Sequence, residues 1–134
     1  MIPPESLSDV RRALLDLHKA LIERERAAYE RTHGTVTPTQ MLQLLIRDDN
    51  FSWLHPISEV IVRIDQALDE EAPDTTVDVD AIIIQARRLV APDQTERPYA
   101  QRYLTALQEV PDVVVAHGKV TAILKENPPR ETLH

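Results

Sequence analysis

Apolar residues recur at helical spacing from the start of the chain. Leu7, Val10, Leu14, Leu17, Leu21 and Ala28 form one heptad seam, broken only by Arg24. A second seam runs beside it through Leu15, His18, Ile22, Glu25 and Tyr29. Two adjacent stripes predict a helix that touches two neighbours, as in a bundle. Ser6 or Ser8 is the expected cap, and Gly34 supplies a left-handed stop just beyond Thr32. Thr37-Pro38 predicts a second helix start, since proline at the first helical position loses no useful N–H. That helix carries Met41, Leu42, Leu44, Leu45 and Ile46 and weakens at Asp48-Asp49-Asn50. Phe51 to Leu54 read as a short aromatic connector. His55-Pro56 opens a further helix with its seam at Leu54, Ile57, Ile61, Ile64 and Leu68 and Val60 beside it. The chain from Pro38 to Glu71 therefore reads as one bent arm or two short helices.

Ala72 to Thr76 read as a loop. Val79, Ile82, Ile83, Ala86, Leu89 and Val90 then predict another helix. The run Ile82-Ile83-Ile84 suits a strand, but no second strand-like run exists to satisfy its backbone groups. In the last region Tyr103, Leu107, Val110, Val114, His117, Thr121 and Leu124 keep heptad spacing through Pro111. Interior proline breaks or kinks a helix, so a kinked helix or two helices joined end to end are expected, both facing one core. The expectation is an all-α, single-domain helical bundle over 1–134. It has four to six helices, a long first helix, a proline-interrupted last helix, and mobile ends near 1–5 and 127–134.

Composition narrows the chemistry. The 134 residues contain no cysteine, which excludes disulfides, thiol nucleophiles and thiolate metal sites within this chain. Only two glycines are present, which excludes Gly-rich phosphate loops. No apolar run approaches a membrane span, and Met1 to Glu5 lack the basic flank of a signal segment. A cytoplasmic location is the resulting expectation. The net charge is -7, and residues 65–80 account for the acidic excess with Asp65, Asp69, Glu70, Glu71, Asp74, Asp78 and Asp80 and no Lys or Arg. With no basic stripe, neither nucleic acid nor an anionic membrane is an expected partner. The acidic run reads as a solvated inter-helix turn, with a basic partner or a weak cation site as alternatives.

The polar residues on apolar seams are Arg24, His18, Glu25 and His117, and each needs a partner if buried. Glu25 can pair with Tyr29 four residues on, Arg24 with Asp65 on another helix, and His18 and His117 with each other or with a shared carboxylate. They serve either as a register-fixing network or as a metal or small-ligand site inside the bundle. His55 and Glu59, one helical turn apart, are a further candidate pair. His18 and Glu25 are about 10 Å apart along a helix and cannot share an ion. The Glu-x-x-His sequences at Glu30 and Glu131 fall at a helix end and in the tail. The Glu109 to Asp112 motif is interrupted by Pro111, and no nucleophile elbow is present. Phe51 and Trp53, with Leu54, read as a plug over one end of the bundle or an anchor for a partner.

The stretches Leu15 to Leu21, Phe51 to Ser58 and Pro111 to His117 resemble segments of small uncharacterised bacterial all-helical proteins. The resemblance implies a bacterial, all-helical domain and carries no activity, cofactor or site. The expected function is a non-enzymatic interaction or structural module that self-associates as a homodimer or binds another protein, with no cofactor. The first helix, Phe51, Trp53 and Leu54, and the acidic segment are its candidate surfaces. The alternative is a bundle that holds a metal ion or small ligand through its seam histidines.

Overall fold

A computed structural model describes residues 2–69, 78–91 and 97–129, which are helical with no strand. The expected loop at Ala72–Thr76 and the tail at 130–134 lie outside the described residues. Among the described residues seven helices follow in order, against the four to six expected: α1 Pro4–His33, α2 Pro38–Arg47, α3 Asp49–Ser52, α4 His55–Leu68, α5 Val79–Val90, α6 Arg97–Glu109 and α7 Pro111–Glu126.

Local chemistry accounts for most helix boundaries. α1 starts earlier than either serine would place it. Extended Pro3 precedes Pro4, whose fixed φ is already helical, and no side chain caps the start. Its other end stops at Gly34, where φ is 83°, with the glycine N–H bonded to the Glu30 carbonyl. α2 opens on a capping box: the Gln40 N–H donates to the Thr37 hydroxyl and the Thr37 N–H to the Gln40 side chain. Asp78 caps α5 by accepting from the Ala81 N–H at 3.2 Å.

Four of these helices form a ring around the core, to which α6 adds Tyr99, Tyr103 and Ala106. α1 packs against α4 and α7, and α5 closes the ring by packing against the same two. Leu14, Leu17 and Leu21 of α1, Ile57 and Ile64 of α4, Ile82 and Ile83 of α5 and Val113 of α7 are wholly buried. Each such side chain stabilises the fold by about 1.5–3 kcal/mol relative to exposure. Arg11, early in α1, pairs with Asp65, late in α4, so the two helices run antiparallel. The isoleucine run at 82–84 is helical, because its first two members face the core formed by α1, α4 and α7.

The proline-interrupted region is two helices joined at Val110. The expected seam does not continue across the joint. Val114 is 49% exposed, and His117 and Thr121 are half-buried, while Val113, Ala116, Val120 and Leu124 face the core. Val110 leaves the helix with φ -124° and ψ 112°, and its carbonyl then accepts from Val113 and Val114 to start α7. One extended residue resets the rotation that each helical residue advances by about 100°. The inward face of α7 is therefore displaced by one position from the sequence seam at Val113, Ala116 and Val120, and meets it again at Leu124.

Candidate functional site

The connector residues Phe51, Trp53 and Leu54 fold inward. Phe51 and Leu54 are buried, so neither presents a side chain to a partner. Phe51 lies 6.2 Å from the Tyr29 ring, and half-buried Trp53 meets Tyr99 edge-on at 5.5 Å. The segment plugs the bundle instead of projecting from it. The indole Nε1 of Trp53 is buried with no hydrogen-bond partner among the described residues.

The seam histidines are not brought together. His117 accepts the Tyr103 hydroxyl at Nδ1, 2.7 Å away. His18 instead lies near His55 of α4, and its pKa is lowered by burial and, less, by the charge of that neighbour. His55 spends Nε2 donating to the Leu45 carbonyl at 2.9 Å, which ties the end of α2 to the start of α4. Glu59 is exposed one turn along α4. Among the described residues, no group of three or more His, Asp or Glu side chains could hold a metal ion.

Arg24 and Glu25 meet each other, not the partners their spacing offered. Glu25 is 6% exposed and takes a charge-assisted hydrogen bond from Arg24. The same guanidinium reaches across to Glu109 at the end of α6, at 2.8 and 3.2 Å. Burial disfavours the Arg24 charge, but these bonds outweigh it and hold the group above its ordinary pKa. Tyr29 stacks on His33 at 4.0 Å, and Asp65 belongs to Arg11. Part of the acidic run, residues 70–77, lies outside the described residues.

Two features stay largely uncovered by the described residues. The first is α2, where no residue is buried and Leu42 and Ile46 are 56% and 58% exposed. Its five apolar side chains spread over about 200° of the helix, wider than the stripe one neighbour can cover. That arc was the available signal in the sequence, because Arg47 is the only charge in the helix. The second is an open groove of about 680 Å³ between the C-terminal half of α1 and the α6–α7 joint. Ala20, Ala27, Val110, Val115 and Ala116 supply its apolar surface, and Lys19, Arg31 and Lys119 stand among its charged residues.

No described helix is long and apolar enough to cross a membrane. Comparison with protein-family models, curated proteins and solved structures finds no match.

Proposed function

We propose that this chain is a non-enzymatic interaction module, a helical bundle that presents α2 as its contact surface and self-associates through it. The observation that carries this reading is that α2 buries no residue and leaves Leu42 and Ile46 more than half exposed. An apolar helix face held in water is a standing site for association, and covering it removes that area from solvent. α2 is also held in place, by the capping box at one end and by His55 at the other. On the sequence resemblance and the lack of cysteine, a bacterial cytoplasm is the proposed setting. The reading through seam histidines gains no support, since His18 and His117 are engaged with separate neighbours.

The test is sedimentation velocity across the micromolar range on the wild type and on Leu42→Asp/Ile46→Asp. The wild type is expected to associate and the variant to remain a folded monomer. An unchanged assembly state in the variant, or a wild type monomeric throughout, removes α2 from the role.

A further inference from the structure

We propose that Trp53, Tyr99, Tyr103 and His117 form a one-electron relay. An oxidising equivalent taken up at the Trp53 indole passes along the two tyrosine rings and ends as a phenoxyl radical on Tyr103, whose proton moves to His117. The contacts are continuous across three parts of the chain. Trp53, between α3 and α4, meets Tyr99 edge-on at 5.5 Å, and Tyr99 stacks on Tyr103, one turn along α6, at 5.8 Å. The Tyr103 hydroxyl donates to Nδ1 of His117 on α7 at 2.7 Å. Centroid separations of this size are those of rings in direct contact, so an electron crosses no aliphatic packing on the way.

What each ring can do with its proton sets the direction. Removing an electron from an indole or a phenol makes its N–H or O–H strongly acidic, and the radical is stabilised where a base takes that proton. The Nε1–H of Trp53 is buried with no partner among the described residues. An indole radical cation there keeps its proton and stays a strong oxidant. The Tyr99 hydroxyl donates to the Leu89 carbonyl at 3.0 Å, and an amide oxygen is too weak a base to receive the proton. Among the described residues Tyr103 is the member of the chain that faces a base. Burial holds His117 below the usual imidazole pKa, so the ring is neutral near pH 7, and its half-buried position leaves the imidazolium it forms in reach of water.

A one-electron oxidant such as the azide radical takes one electron from Trp53 and leaves as azide. The indole radical cation is reduced by Tyr103 through Tyr99 and returns to its starting state with its N–H intact. Tyr103 loses that electron together with its hydroxyl proton: the O–H bond breaks and an N–H bond forms at His117 Nδ1. The products are a neutral phenoxyl and an imidazolium. The radical has then moved from a half-buried ring to one that solvent does not reach. Tyr29 stands outside this chain, with its ring against His33 and Phe51.

Pulse radiolysis with the azide radical, which oxidises indole in preference to phenol, tests the relay on the whole protein. One tryptophan, three tyrosines and no cysteine make the transfer simple to follow. In the wild type the indole-radical absorption is expected to give way to that of a phenoxyl at a rate independent of protein concentration. His117→Gln supplies an oxygen to accept the Tyr103 hydroxyl but no base, and is expected to slow the conversion by about a hundredfold with helical content kept. Tyr103→Phe should slow it to a similar extent, because Tyr99 is left without a base, and Tyr29→Phe should keep the wild-type rate. A wild-type rate in either His117→Gln or Tyr103→Phe, or a conversion that quickens with protein concentration, overturns the relay. Loss of the conversion in Tyr29→Phe puts the phenoxyl on Tyr29 and overturns its assignment to Tyr103.

Discussion

The Tyr103 hydroxyl and His117 Nδ1 stand 2.7 Å apart, with a buried ring on one side and a half-buried one on the other. Burial raises the phenol pKa far above its usual range and lowers that of the imidazole, so the tyrosine donates and the neutral histidine accepts. The two deletions are consequently unequal. Tyr103→Phe leaves a histidine that water can reach and should cost about 1 kcal/mol. His117→Ala strands a buried hydroxyl and should cost about 2 kcal/mol. Urea midpoints of the two variants give the order, and a costlier Tyr103→Phe would contradict it.

Acid should weaken the fold through the same histidine and through His18. Both have folded-state pKa values lowered from 6.5 by burial, with His55 adding to the effect at His18. The unfolded chain therefore binds more protons as the pH drops. Their contribution is complete above about 6.5 and is lost as the pH falls through that value toward the lower folded-state pKa values. Protonation also fills the Nδ1 site that accepts from Tyr103. Denaturation at about pH 7.5 and about pH 5.5 should show a lower midpoint in acid, and His18→Gln/His117→Gln should flatten the difference.

Arg24 is expected to matter far more than Glu109. Arg24→Ala leaves the nearly buried Glu25 carboxylate without its cation, which costs about 3 kcal/mol. Glu109 is half-exposed, and Glu109→Ala should cost no more than about 1 kcal/mol. Replacing both members of the inner pair, as Arg24→Met/Glu25→Leu, should recover much of the loss, because no buried charge is then stranded. Thermal melts of the three variants check the ranking.

Trp53 offers a test in the opposite direction. Its Nε1 is buried without a partner among the described residues, while its ring packs edge-on against Tyr99. Trp53→Phe keeps an aromatic contact and removes the unsatisfied donor, so stability should change by less than about 1 kcal/mol. Trp53→Ala removes the ring as well and should cost about 3 kcal/mol. A loss for Trp53→Phe as large as that for Trp53→Ala would show that the indole N–H has a partner.

The sequence was readable where one periodicity ran unbroken between two recognisable caps. The α1 seam from Leu7 to Leu21 and the α4 seam from Ile57 to Ile64 are the core they were expected to be. Just beyond Val110 the seam is off by one residue, at Val114, His117 and Thr121 though not at Leu124, because a seam can be followed through a proline while the extended residue before it turns the next helix. The polar pairings failed for a related reason. Which residue Arg24 or His18 meets depends on how helices are placed around the ring, and bundles of different connectivity share the same seams. The plug at Phe51 could be foreseen only as one of two options, since a buried anchor and an exposed one have the same composition. α2 was legible as a helix, but its lack of cover showed only in the width of its apolar arc.

That lack of cover separates the folding of α2 from the folding of everything else. A helix of ten residues is shorter than the roughly 12–15 that persist in water by themselves. With no wholly buried side chain, and with the His55 bond to the Leu45 carbonyl as its tie to α4, its amides can open at little cost to the ring of α1, α4, α5 and α7. Hydrogen–deuterium exchange should find α2 amides close to unprotected, with those of α1 from Val10 to Leu21 slowed by the full stability of the molecule. The segment would then be a separate foldon, one whose helical population is set by its surroundings and not by the rest of its own chain.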